Sequence, residues 1–282
     1  MGATLARDGA RLAAALGFDF AAGYREAQGL LAHVAGLSRA QLAASRRDAL
    51  DAGIRARYEH LIARRGRGEP YAYLVGRREF HGLDLRVTPA VLIPRPETEL
   101  LVDTVLARLE PDTAVQILDL GTGSGAVAIA LAHRRPLAGI TAVDASTAAL
   151  DIARGNATHL GVTRIRFLLG DWYAALGPER FDVIVSNPPY VAAGDPHLGQ
   201  GDLRFEPRVA LVGGVDGLDC IRTLVRGAAR HLKPHGALYF EHGHDQAAAC
   251  RALLECARFE GVQTITDLAG MERVTGGQTR LH

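Results

Sequence analysis

Asn187-Pro188-Pro189-Tyr190 sets a side-chain amide, two prolines and an aromatic ring directly after the apolar run Phe181 to Ser186. Asparagine offers its side-chain carbonyl and Pro188 its backbone carbonyl, while the prolyl nitrogen has no hydrogen to donate. Two acceptors and a flat ring facing one small volume suit a planar nitrogen, either an amide NH2 or an exocyclic amino group. Held by both acceptors, such an NH2 directs its N–H bonds away from an incoming electrophile and frees its lone pair from conjugation. Methyl transfer from a sulfonium needs that arrangement. The same four residues also read as a strand running into a Pro-rich turn, because Asn-Pro and Pro-Pro are ordinary turn punctuation.

A second constellation lies upstream. Asp119-Leu120-Gly121-Thr122-Gly123-Ser124-Gly125 follows an apolar strand and opens a helix at Ala126, the place where doubly wound sheets bind nucleotides. Glycines let the backbone turn tightly and approach a ligand without Cβ atoms in the way, and the helix N-terminal amides then face that ligand. The next strand ends at Asp144, whose carboxylate suits both hydroxyls of a ribose. Gly121, Gly123 and Ala126 also satisfy the dinucleotide pattern, so the loop alone leaves an NAD enzyme open. Asp171-Trp172 adds an acceptor for an adenine amino group and an indole to pack on its ring. Trp172 also reads, less strongly, as a core aromatic at a strand end.

The elements that must position these residues follow from periodicity. Ala27, Leu30, Leu31 and Val34, and then Ile54, Tyr58, Leu61 and Ile62, fall on single helical faces, so the first 66 residues predict a small helical bundle. Gly66 to Pro70 breaks the pattern, and Phe80, Leu83, Leu85 and Val87 suggest a short hairpin connector. Beyond a helix ending near residue 109, apolar runs at 115–120, 140–143, 165–169, 181–186, 237–241 and 262–266 read as strands. Those before Ala237 alternate with helical stretches, which predicts an open, largely parallel α/β sheet with helices on both faces. The expected division is a helical domain over 1–77, a hairpin linker over 78–97 and a catalytic domain over 98–282.

Composition narrows the class. At 282 residues, 48% hydrophobic and 22% charged, the chain predicts an ordinary globular protein. It shows no apolar run long enough to span a bilayer, and Arg7, Asp8 and Arg11 stand where a signal peptide needs an apolar core, so a cytoplasmic protein is expected. Cys220, Cys250 and Cys256 are odd in number with no C-x-x-C spacing, which favours neither a disulfide frame nor a zinc site. His242-Gly243-His244 lacks further ligands nearby, and no metal is expected. The first 97 residues carry 15 Arg against 10 acidic side chains, a balance that fits a solvated helical surface as well as an RNA or acidic partner.

Taken in order, the glycine loop, Asp144, Asp171-Trp172 and Asn187-Pro188-Pro189-Tyr190 resemble the class I S-adenosylmethionine-dependent methyltransferases that modify planar nitrogen. Arg78-Glu79-Phe80, the run Leu92 to Glu99, Asp195-Pro196-His197, Arg204-Phe205-Glu206-Pro207 and Glu241-His242-Gly243 bring the resemblance closer, to the HemK/PrmC family. These are protein-glutamine N5-methyltransferases of bacterial class I peptide chain release factors. The resemblance implies a Rossmann-like seven-stranded sheet with a small all-α N-terminal domain for substrate recognition. It implies S-adenosylmethionine as methyl donor, S-adenosylhomocysteine as product, and the glutamine of a Gly-Gly-Gln loop as acceptor. The cofactor would then lie on Gly121, Thr122, Gly123, Ser124, Gly125, Asp144, Asp171, Trp172 and Asn187, and the glutamine on Asn187, Pro188, Pro189 and Tyr190.

Alternatives share the signature. Adenine N6 and guanine N2 methyltransferases carry it, as does a glutamine methyltransferase of a large-subunit ribosomal protein; an inactive cofactor-binding ribosome-associated module is the non-enzymatic alternative. Nucleic-acid methylation predicts a clearly basic target domain with aromatic platforms, which the N-terminal part supports weakly, so no stable nucleic-acid partner and no membrane partner is expected. The chain's own Gly276-Gly277-Gln278 repeats the proposed target tripeptide and is expected to do so by chance.

Overall fold

The computed structural model describes residues 1–44 and 51–280. The helical reading of 1–66 crosses residues 45–50, and the 98–282 boundary reaches 281–282; both stretches lie outside the described residues. The chain forms two compact units, Met1–Arg77 with Gly199–Phe205, and Arg78–Leu198 with Glu206–His282. The sequence reading gives Gly199–Phe205 to the catalytic domain, whereas these residues belong by packing to the helical unit. It also treats 78–97 as a separate linker, and these residues pack within the second unit.

The first unit is built from α1 (Gly2–Leu16), α2 (Phe20–Ala35), α3 (Arg39–Ala44), α4 (Ala52–Gly66) and α5 (Tyr71–Val75). Asp19 and Asp51 cap α2 and α4 by accepting from backbone amides of the first turn. Leu5, Leu12, Ala27, Leu30, Leu31, Leu42, Tyr58 and Ile62 form its core. Helices α1 and α2 touch backbone to backbone, since a Cβ on Gly23 would sit 2.3 Å from the Gly9 carbonyl oxygen. Arg65 is buried and reaches Glu26 (Nε–Oε2 2.6 Å), the Glu69 carbonyl (2.9 Å) and Asp202 (3.2 Å), which fastens the returning segment to this unit.

The second unit begins with a hairpin, β1 (Arg77–Phe80) and β2 (Leu83–Arg86). His81 (φ 52°) and Gly82 (φ 79°) turn it with both central residues at positive φ, the twist that matches paired strands. Then come α6 (Glu99–Arg108), β3 (Gln116–Leu120), α7 (Ala126–Arg134), β4 (Gly139–Asp144), α8 (Thr147–His159), β5 (Ile165–Leu169), β6 (Phe181–Ser186), α9 (Asp219–His231), β7 (Leu232–Glu241), α10 (Ala247–Cys256), β8 (Glu260–Thr266) and β9 (Glu272–Gln278).

Seven strands make one sheet in the order β5-β4-β3-β6-β7-β9-β8, parallel from β5 through β7, with β9 antiparallel to both neighbours. The period of two divides the core: Ile117, Val183 and Val185 pack with α6 and α7 on one face, and Leu118, Ile184 and Leu238 pack with α9 and α10 on the other. Strand β9 is the element that apolar patterning did not find. It contains Gly276-Gly277-Gln278, and Gly276 is required by packing, because a Cβ there would lie 2.1 Å from the Tyr239 ring. No described helix is long and apolar enough to cross a membrane.

Candidate active site

The sheet order reverses between β4 and β6 on either side of β3, and the parallel register brings the ends of the strands together. Leu120 pairs with Val143 and with Ser186, and Asp144 pairs with Leu169. The glycine loop, Asp144, Asp171 and Asn187 therefore leave the sheet at one edge, where ligands bind in open α/β folds. A cavity of about 690 Å³ opens there, within the range of small-molecule sites. Gly121, Gly123, Val143, Asp144, Asp171, Trp172, Asn187 and Pro189 are among the residues that line it.

The loop holds its shape through its own bonds. Gly121, Gly123 and Gly125 take φ of 75°, 57° and 83°, a conformation that side-chain-bearing residues adopt at a cost. Gly121 and Thr122 donate to the Val143 carbonyl at 2.9 and 3.0 Å, and Asp144 Oδ2 accepts from Gly123 N at 2.8 Å while Oδ1 accepts from Ser146 N at 2.8 Å. Each Asp144 oxygen keeps a further lone pair for a hydroxyl. Three predicted contacts stand back from the cavity lining. Thr122 donates its hydroxyl to Asp119 (2.6 Å), Ser124 is buried, and the Cβ position of Gly125 is closed off by Ile129 and Ala153. These three shape the loop.

Trp172 lines the cavity with φ 48°, an outlier for a bulky residue, and it packs its other side on the α9 face of the core. Trp172 therefore both lines the cavity and packs on the core. Asp171 is exposed at the cavity. Asn187 is half-buried and donates Nδ2 to Thr98 Oγ1 at 2.9 Å. Among the described residues neither Asn187 Oδ1 nor the Pro188 carbonyl accepts a protein hydrogen bond. Pro188 is buried behind the lining, and Tyr190 donates its hydroxyl to Glu241 Oε1 at 3.0 Å. Gln246 Nε2 holds the Tyr190 carbonyl at 3.0 Å, and Gly213 and Gly217 pack so closely on the Pro189 and Tyr190 carbonyls that a Cβ on either would collide.

Several residues of the site were not marked by sequence reasoning. Val91 and Leu92 form one wall, and Pro207, Arg208, Val209, Ala210 and Val212 form another, with Cys220 nearby. Arg95 binds the buried carboxylate of Glu206 at 2.5 Å and so joins the segments that carry the two walls. Asn156, inside α8, donates to the carbonyls of Arg86 (3.0 Å) and Ser124 (2.9 Å) and accepts from Arg86 N (2.8 Å), stapling β2 to the glycine loop. The proline-flanked Pro94-Arg95-Pro96 segment was the available signal for the first wall, and Arg204-Phe205-Glu206-Pro207 marks the start of the second; no pattern in the sequence announces Arg208 to Val212.

Burial dominates the electrostatics of the carboxyls behind the cavity. Burial drives Asp119 up to about 7, with Thr122 pulling back and the neighbouring Asp144 pushing the same way as burial. Burial likewise raises Glu241, against the opposing hydrogen bonds of Thr98 and Tyr190. The Cys220 thiol is pushed up by burial and by Asp219 and Asp171, which disfavours a thiolate. Among the described residues there is no cluster of three metal-ligating side chains; His242 is buried, with Nε2 on the Thr275 hydroxyl (2.7 Å) and Nδ1 on the Gly243 carbonyl (2.8 Å).

A glycine cradle at a topological switch point, an acidic residue one strand along and an amide-presenting turn beside them define a class I S-adenosylmethionine-dependent methyltransferase. Family profiles agree: Methyltransferase small domain matches residues 96–200 and PrmC N-terminal domain matches residues 10–76. The chain is 54% identical over 259 residues to the release factor glutamine methyltransferase of Burkholderia pseudomallei, covering 90% of this chain and 91% of that protein. It is 45% identical over 254 residues to the protein of the same name in Escherichia coli, covering 90% and 91%. This chain belongs to the release factor glutamine methyltransferase family. Solved structures extend the fold comparison: a methyltransferase from Pyrococcus furiosus (TM-score 0.55, 19% identity, 82% of this chain and 100% of that one). A Thermus thermophilus 16S rRNA N2 methyltransferase solved with AdoMet and guanosine also matches (TM-score 0.56, 24% identity, 72% and 50%).

Proposed function

We propose that this protein transfers the methyl group of S-adenosylmethionine to the side-chain amide nitrogen, N5, of the glutamine in the Gly-Gly-Gln loop of class I peptide chain release factors. The observation that carries the reading is the Asn187 carboxamide at the cavity wall, with Nδ2 engaged by Thr98 and Oδ1 without a protein partner. Relatives at 45 to 54% identity are named for release factor glutamine, which supports the same acceptor.

S-adenosylmethionine, when bound, supplies a methyl group on a positively charged sulfur. In this reading the backbone of Gly121 and Gly123 approaches it, Asp144 accepts from the ribose, and Asp171 and Trp172 receive the adenine. Thr122, Ser124 and Gly125 keep the loop in shape. The donor set fits the group: carboxylates and backbone amides for a cationic, hydroxyl-rich nucleoside, in a cavity of suitable volume.

An amide nitrogen is a poor nucleophile because its lone pair is delocalised, so orientation matters more than proton removal. Asn187 Oδ1 and the Pro188 carbonyl accept from the substrate NH2 and turn its N–H bonds away from the line of attack. Pro189 stiffens the turn, and Tyr190, held by Glu241, closes the acceptor pocket. Bringing acceptor nitrogen and methyl group into line supplies on the order of 7–11 kcal/mol of barrier reduction. An N-alkylated, N-protonated amide is strongly acidic and sheds its proton after transfer, so no general base is assigned. Residues 1–77 with 199–205 act as the substrate-recognition unit, and 78–198 with 206–282 as the catalytic unit.

The test is tandem mass spectrometry of a purified class I release factor after incubation with the protein and labelled S-adenosylmethionine. One added methyl on the Gly-Gly-Gln glutamine, absent with Asn187→Ala, is the expected result. Label on a ribosomal protein or on nucleic acid instead would overturn the substrate while leaving the cofactor in place.

A further inference from the structure

Asn187 can present either end of its carboxamide to the cavity, and the two ends have opposite effects. With Oδ1 forward it accepts from a substrate NH2; with Nδ2 forward it sets a donor against donors and the acceptor pair is lost. Something outside the Asn-Pro-Pro-Tyr turn has to choose between them.

The group that Asn187 Nδ2 donates to is the hydroxyl of Thr98, which sits at the end of the Pro96–Thr98 turn, is buried, and takes the Nδ2 proton at 2.9 Å. A hydroxyl can donate as well as accept, so the Thr98 oxygen stays free for Asn187 only when another group takes its proton. Glu241 is the group available. Its carboxyl is buried at the end of β7, receives the Tyr190 hydroxyl on Oε1 at 3.0 Å and leaves Oε2 without a hydrogen-bond partner among the described residues. Burial raises the Glu241 pKa, and the Thr98 and Tyr190 hydroxyls oppose that rise.

We propose that Thr98 is a positioning residue that selects which end of the Asn187 carboxamide faces the acceptor nitrogen, with Glu241 setting the direction of the Thr98 hydroxyl. The order of donation runs from Asn187 Nδ2 to Thr98 and from Thr98 toward Glu241, and Tyr190 feeds the same carboxyl from its other side. Two residues of the turn are thereby held through one buried acid. The assignment rests on the methyl-transfer reading for its catalytic consequence and on the structure alone for its geometry.

Two measurements separate these. The first is solvent exchange of the Asn187 side-chain NH2, followed by NMR in protein labelled with nitrogen-15 asparagine, without any substrate. Exchange is expected to be slowed in the wild type and in Thr98→Ser, and fast in Thr98→Val. The second is steady-state methylation of a release factor with parallel cofactor titrations. Thr98→Val is expected to lose about 100-fold in kcat, the scale of a misplaced reacting group, with cofactor affinity unchanged and with Thr98→Ser close to wild type. In an Asn187→Ala background the Thr98→Val loss should vanish, because there is no amide left to orient. Glu241→Gln, which can donate to Thr98 and reverse its hydroxyl, should lower kcat in the same way. If Thr98→Val fails to fold, Thr98→Cys keeps a side chain of similar size with only a weak acceptor and takes its place.

A Thr98→Val enzyme with wild-type kcat, a Thr98→Ser enzyme as impaired as Thr98→Val, or equal Asn187 exchange in all three proteins would overturn the proposal. A wild-type protein that protects the Asn187 amide through Thr98 yet methylates no release factor would instead overturn the methyl-transfer reading and leave the orientation standing.

Discussion

Asn187 and Asn156 are both asparagines near the cavity, and their chemistry is opposite: one leaves an acceptor unused, the other uses every group it has. Asn187→Ala is expected to cut turnover on a release factor by at least about 100-fold while cofactor binding falls far less, because positioning is lost and the glycine loop is not. Asn156→Ala removes three hydrogen bonds, one buried and two partly buried, that join β2 to the glycine loop, and should cost about 2–4 kcal/mol in urea unfolding. Asp119 makes its contribution through pH. Its folded pKa of about 7 lies above the ordinary carboxylate value of 3.8, so the contribution to stability is full below about pH 4 and is lost as pH rises through 7. The melting temperature of the cofactor-free protein should therefore fall over that window by more in the wild type than in Asp119→Asn. An identical slope in the two proteins would refute the assignment.

The elements show how far pattern alone reaches. Strands β3 to β6 were legible because they are apolar, short and punctuated, and the glycine loop was legible because positive φ leaves a compositional mark at Gly121, Gly123 and Gly125. Strand β9 was not, since Gly276 and Gly277 are poor strand formers, Glu272, Arg273 and Gln278 interrupt any apolar run, and the segment owes its conformation to pairing with β7 and β8. The wall made by Arg208 to Val212, beyond the marked Pro207, is also invisible in sequence, because it arises from where a long loop after β6 returns. A polar residue such as Asn156 inside an amphipathic helix gives no sign of whether it faces solvent or a neighbouring backbone. Gly125→Ala tests the part that was legible: it forces a Cβ to within 2.8 Å of Ile129 Cδ1 at φ 83°, and should cost about 1–3 kcal/mol and weaken the cofactor complex, measured by calorimetry.

At the scale of the whole molecule, one stretch of chain belongs to two stories. Between the Asn-Pro-Pro-Tyr turn and the Pro207 wall, Gly199–Phe205 joins the helical unit, where Arg65 holds Asp202 and Arg204 reaches the Arg67 carbonyl. The catalytic unit is thus discontinuous in sequence. The other whole-molecule feature is Gly276-Gly277-Gln278, which sits inside the sheet with Gln278 paired to Ala237 on one side and Glu260 on the other. After prolonged incubation of the native protein with labelled cofactor, the peptide bearing Gln278 should remain unlabelled; label there would mean that β9 opens. The triplet is a word the enzyme can read only when it is spoken from a free loop, and in its own chain the sheet keeps it silent. By pairing β9 on both sides, tertiary structure withholds from the cavity a triplet that the chain itself spells out.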